Sequence, residues 1–139
     1  MISLEKKTKE IGNINFVAFE NNVVIVNTTP HPIRMQDMDG TLITVPTSVL
    51  INAKAEEQKV SDLFVRTVFT GTEEGKETIK RIKSVYNRQF SNGTLVIVGS
   101  IIAAQAYPGE VVAMTPVEGF ERVAPAEKRM RCDKFTTFA

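Results

Sequence analysis

The residue pattern predicts one α/β domain of the α+β kind: a mixed β-sheet with one long covering helix at about 73–91 and a short helix after Ser100. Three observations carry that expectation. The first half is a series of short runs rich in Val, Ile and Phe, set apart by turn residues. A single amphipathic stretch in the second half keeps a helical period from 73 to 91. An apolar run, Thr94 to Val98, then passes through Gly99-Ser100 into the Ala-rich Ile101 to Ala106. With 139 residues the chain supports one hydrophobic core, and no repeat or low-complexity tract divides it, so residues 1–139 are read as a single domain.

The elements follow in chain order. The charged opening, MISLEKKTKEIG, suits a frayed or docked arm. Asn15 to Phe19 and Val23 to Asn27 form a hairpin around Glu20-Asn21-Asn22. The second run, VVIVN, lacks polar alternation, as a strand covered on both faces does. Pro30 and Pro32 cannot donate to a ladder, and each restricts the residue before it, so Thr28 to Pro32 is an irregular loop. Ile33 to Met38 and Thr41 to Val45 flank Asp39-Gly40, a pair suited to a type I′ turn. Val49 to Ala55 and Leu63 to Phe69 read as two further strands around a polar stretch, Glu56 to Asp62.

Thr70 followed by Glu73 has capping-box spacing and announces the long helix. Ile79, Ile82, Val85, Tyr86 and Phe90 make its apolar face; acidic residues lie early and basic ones late, and Asn92-Gly93 ends it. Val111 to Met114 is a short strand. The basic remainder is irregular, with a last strand at Lys134 to Phe138.

Composition narrows the function. Seventeen basic against sixteen acidic residues, a formal net charge of +1, supply no global field for a polyanion, which argues against nucleic acid as partner. The longest apolar stretch, Thr94 to Ala106, falls short of the roughly 20 residues that span a bilayer. A lone cysteine and the lack of a charged-then-apolar leader favour a cytoplasmic location.

Two turns hold the candidate site. Asn27-Thr28-Thr29-Pro30-His31 places an amide, two hydroxyls and the sole histidine on a proline-stiffened loop after a buried strand. His31 has the chemistry of a proton carrier or a donor to phosphate. The alternative is that Asn27 and His31 only satisfy backbone groups of a tight loop. Gly99-Ser100 offers backbone amides to an anion, or Ser100 is an ordinary helix cap. Neither the lysine-bearing phosphate loop nor the three-glycine dinucleotide fingerprint is present, and no metal-ligand spacing or cofactor motif is found. Cys132 is either a nucleophile with His31 as its base or a small apolar filler. Arg131, with Arg122, Lys128 and Arg129, is either a solvated surface or a patch for an anionic ligand.

The segment Asn27 to His31 on its apolar strand resembles the Asn-Leu-Thr-Pro-His opening of a family of small proteins encoded by bacteriophages and bacteria, with Thr28 in place of the leucine. Asp39-Gly40 with Val45-Pro46 and Ser48, the stretch Val96 to Ala104, and Arg131, Cys132 and Phe135 agree more loosely. The likeness covers residues 23–135, so residues 1–22 read as an extension on a family-like core. A glycine and an arginine of the family pattern are missing, since Val49 and Asn52-Ala53-Lys54 stand there. By analogy, the resemblance implies a phage protein that sequesters a nucleotide signal of host defence.

Taken together, the first reading is a homo-oligomeric binder of a small phosphate-bearing or nucleotide-like ligand held by Asn27, Thr28, Thr29, His31, Gly99, Ser100 and Arg131. A small hydrolase or transferase using His31 and Cys132 is one rival. A module that binds a host protein is the other.

Overall fold

The computed structural model of the chain describes residues 8–139; residues 1–7 of the expected N-terminal arm lie outside the described residues. The part of that arm that is described is an edge strand. Thr8–Ile11 (β1) pairs antiparallel with Ile14–Ala18 (β2) through Gly12 and Asn13, both at positive φ, as a two-residue type I′ turn requires. β2 pairs in turn with Val23–Asn27 (β3), and Asn22 takes the left-handed position of the turn between them. Ile14, Phe16, Val17 and Phe19 are buried, so the segment ahead of the family-like core is itself built into the interior.

Ile33–Gln36 (β4) and Leu42–Val45 (β5) form the next hairpin. Its loop is not the expected type I′ turn, because only Gly40 has positive φ; the Gly40 N–H donates to the Asp37 carbonyl, and Asp37 N–H to Thr41. Ala53–Lys59 (β6) and Val65–Gly71 (β7) make a separate two-stranded ribbon, each strand shifted towards the C-terminus of its expected place. The register pairs Ala53 with Gly71 and Lys59 with Val65. Polar residues from Glu56 to Lys59 are therefore strand, not loop, since neither face of the outer ribbon has to be apolar.

Glu73–Gln89 (α1) is the long helix. Its cap is Thr72, whose hydroxyl accepts from Gly75 N–H, in place of the expected Thr70, which β7 uses in its ladder. Ile79, Ile82, Val85 and Tyr86 are buried on one side, each contributing roughly 1.5–3 kcal/mol of burial. Thr94–Val98 (β8), Ile101–Ala106 (α2) and Val111–Pro116 (β9) form a strand-helix-strand unit. A short 3₁₀ turn, Pro125–Glu127, precedes Met130–Thr136 (β10), which begins four residues earlier than the pattern indicates.

The result is a mixed eight-stranded sheet in the order β1-β2-β3-β8-β9-β10-β4-β5, with one long and one short helix. β3, β8 and β9 are parallel, β10 is antiparallel to β9, and β4 runs parallel to β10. The sheet curls so far that Thr47, after β5, bridges in parallel to Asn27 at the end of β3. One face, with Val24, Val26, Ile97 and Val111, packs on the helices. The inner face, with Ile25, Val98, Met35, Ile43, Val45 and Cys132, packs on itself. β3 is buried on both sides, which is why its sequence shows no alternation.

Candidate functional site

The site grows from the end of β3. Because β3 and β8 are parallel and in register from Val23↔Thr94 to Asn27↔Val98, the Thr28 loop and the Gly99-Ser100 turn leave the sheet side by side. Thr28 N–H and its hydroxyl both donate to the Val98 carbonyl, at 2.9 and 2.7 Å.

Asn27 is fully buried where the sheet curls shut, and its amide is spent on the fold. Nδ2 donates to the carbonyls of His31 (2.9 Å) and Val45 (3.1 Å), while Oδ1 accepts from Thr29 N–H (2.9 Å) and the Thr29 hydroxyl (2.6 Å). The Asn27 carbonyl accepts from Ser48 N–H. Every polar atom of that side chain is thus satisfied by the protein, as an amide in a dry interior requires. Asn27, Thr28 and Thr29 shape the loop that turns the chain from β3 into β4, and His31 stands exposed on it.

Gly99 and Ser100 also answer to the fold. A Cβ on Gly99 would lie 2.7 Å from Val111 Cγ1, so glycine is needed for packing. The Ser100 hydroxyl accepts from Ala103 N–H and caps α2. The two turns adjoin, yet neither Gly99 nor Ser100 borders the cleft in which His31 lies.

That cleft has a volume of about 280 Å³. Thr29, His31 and Arg34 line one side, Pro125 and Lys128 another, and Ile33, Met114 and Met130 give it an apolar floor. An Arg34 guanidinium N–H donates to the Ala126 carbonyl and so ties β4 to the 3₁₀ turn at the rim. Arg34 and Lys128 supply positive charge, His31 supplies a ring nitrogen, and among the described residues no carboxylate lines the cleft. The arrangement suits an anionic group beside a flat or apolar body. Arg34 is the residue that sequence reasoning missed. Its signal was the alternation of Ile33-Arg34-Met35-Gln36, which turns Arg34 outward one step beyond the prolyl loop.

Cys132 and Arg131 belong elsewhere. They line a second cavity, of about 230 Å³, with Gln36, Asp37, Glu118 and Asp133, and it shares no residue with the first. The β4–β10 register sets Arg131 opposite Gln36, five residues along the chain from His31, and Cys132 lies one residue further on. His31 and Cys132 therefore do not form a base and nucleophile. Burial, with Asp37 nearby, pushes the Cys132 thiol up to about 11, the reverse of an activated thiolate. Arg131 is engaged by Asp133 through two hydrogen bonds of 2.7 and 3.0 Å, and its guanidinium holds that carboxyl below the usual range. Asp37 meets Glu20 and Asp39 within 4.8 Å, and its Oδ1 accepts from the N–H groups of Glu20 and Met38, so it organises the two turns that meet there.

Among the described residues no helix is long and apolar enough to cross a membrane. No protein-family model, curated protein or solved structure matches the chain.

Proposed function

We propose that this chain binds a small anionic, nucleotide-like molecule in the cleft between the Thr29–Arg34 segment and the Pro125–Met130 segment. The observation that supports the reading is the composition of that cleft: Arg34, Lys128 and His31 around an apolar floor, without an acid among the lining residues. Its volume of about 280 Å³ is just below the roughly 300–1,000 Å³ usual for small-molecule sites, which suits a small ligand. Two cations within one apolar cleft favour a phosphate-bearing ligand over a neutral one. Asn27, Thr28 and Thr29 act by holding the loop, and Arg34 with Lys128 takes the place first given to Arg131. The role as a sequestering protein of phage origin rests on the resemblance of the Asn27–His31 motif alone. A catalytic role has weaker support, because no carboxylate or thiol lines the cleft of His31 and the Thr29 hydroxyl there is held by Asn27 and the His31 carbonyl.

Native mass spectrometry of freshly purified protein, followed by calorimetric titration with mono-, di- and cyclic nucleotides, tests the reading. Binding that weakens tenfold or more in Arg34→Ala and Lys128→Ala is the expected result. No binding to any nucleotide at millimolar concentration, or binding unchanged in both variants, would sink it.

A further inference from the structure

The cleft between Thr29–Arg34 and Pro125–Met130 keeps its apolar and its charged side chains apart. Ile33, Met114 and Met130 make the floor and offer a ligand nothing more polar than a thioether, while the exposed His31 and Arg34 stand at the rim with Lys128. Thr29 brings the one hydroxyl. Its Oγ1 lies between Asn27 Oδ1 (2.6 Å) and the His31 carbonyl (2.9 Å), so its proton is already taken. Thr29 N–H is held by Asn27 Oδ1 as well, and Pro32 and Pro125 carry no N–H at all. A body seated on this floor is met by apolar surface, without donors and acceptors matched to its edge.

The two cations are placed for the opposite task. Among the described residues the ion pairs engage Lys54, Lys59, Lys76, Lys80, Lys83 and Arg131, and neither Arg34 nor Lys128 belongs to one. Arg34 spends an N–H on the Ala126 carbonyl, which sets the plane of the guanidinium at the rim and leaves its other N–H groups for a ligand. A planar fork meets phosphate oxygens two at a time, and an ammonium adds a point charge beside it. Together they match the double charge of a phosphomonoester near neutral pH better than the single charge of a cyclic phosphodiester.

We infer, resting on the anion-binding reading above, that this cleft takes a phosphomonoester carried on a planar ring, of nucleoside monophosphate size, and selects its terminal phosphate and ring face while leaving the ring's hydrogen-bonding edge unread. The cleft, of about 280 Å³, is smaller than a drug-sized site, which suits one ring system with one phosphate. A site built to hydrogen-bond its ligand rejects the wrong one by orders of magnitude, because buried polar groups are left stranded; an apolar wall tells isosteres apart only weakly. On this floor no side chain is stranded when an amino group on the ring is exchanged for a carbonyl.

Calorimetric titration of the full chain with ligands that differ in one respect tests this. Adenosine and inosine 5′-monophosphates, like cytidine and uridine 5′-monophosphates, have nearly equal shape and inverted edges, and each pair should bind within roughly threefold. Adenosine 5′-monophosphate should bind at least roughly tenfold tighter than its 3′,5′-cyclic form and than adenosine itself. Lys128→Ala should bring the ratio of open to cyclic form towards one and leave the edge-inverted pairs alike. Arg34→Ala should do the same, although it also releases the Ala126 carbonyl. A larger preference within either pair, or a smaller gap between open and cyclic forms, would overturn the inference and leave the anion-binding reading standing. Failure of every nucleotide to bind, or adenosine bound as tightly as its monophosphate, would overturn both.

Discussion

The loop after β3 and the β6–β7 arm are opposites in how polarity is placed. In the loop, an amide and two threonines are buried and matched atom for atom with backbone groups. In the arm, leucine, phenylalanine and valine are turned to solvent while the hydrogen bonds are those of the ribbon itself. The difference teaches where each segment's residue choice comes from. Removing a polar atom from the loop strands its partners in a dry interior, so that sequence answers to the fold. Removing an apolar side chain from the arm exposes nothing that was covered, so the packing of the monomer does not dictate that choice.

The sharpest way to break this contrast is Asn27→Ala. The substitution deprives the carbonyls of His31 and Val45 of a donor, and Thr29 N–H of its acceptor, all around a fully buried position. A loss of roughly 2–4 kcal/mol is expected, or on the order of 10 °C in Tm for a domain of this size. Asn27→Asp should do no better, since a carboxylate cannot donate to the two carbonyls. Urea or thermal unfolding of both variants measures it. A Tm within 2–3 °C of wild type, against an estimated drop several times larger, would show that the loop tolerates the orphaned groups and is free to serve a ligand.

Why the loop was legible as unusual, with binding and structural roles both open, follows from these bonds. Composition singles out Asn27-Thr28-Thr29-Pro30-His31, yet the partners that occupy it, Val45 and Val98, are 18 and 70 residues away and carry no local mark. The strands and α1 were readable because their signals are local: unbroken apolar residues in β3, a 3.6-residue period from Ile79 to Tyr86, glycine at the turn into β5. The ends of β6 and β7 were not. Their residues Glu56-Glu57-Gln58-Lys59 look like loop because no buried face imposes alternation on a free ribbon. The cleft was half visible: His31 stood out by rarity and Arg34 by alternation, whereas Lys128 meets them only through the pairing of β4 with β10.

A second test acts where the two kinds of region meet. Tyr107→Phe keeps the ring that fills the space beside Gly71 and Gly75 but removes the hydroxyl that holds both feet of the arm. About 1–2 kcal/mol should be lost, less than at Asn27 because Asn52 and Thr72 are partly open to water. Hydrogen exchange sharpens the reading: amides of β6 and β7 should exchange faster while those of β3 and β8 keep their protection. Uniform loss of protection across the sheet would mean that the arm is an integral part of the core.

The smallest effect is expected at the arm's tip, and it is the one that decides whether the contrast is real. In a dilute solution that holds the chain as a monomer, Leu63→Ser and Phe64→Ser should each change stability by no more than about 0.5 kcal/mol, although comparable truncations in the core cost several times that. Both side chains are already in water, so their loss removes little buried surface. Dilution therefore separates two explanations of an apolar tip. If the tip packs on its own chain, the destabilisation is the same at every concentration. If it packs on a second copy, the variants match wild type when dilute and fall behind as concentration rises, because only the wild type gains from association. Unfolding curves at two concentrations a hundredfold apart read this directly, and a concentration-independent loss at either residue would return the arm to the monomer's own core.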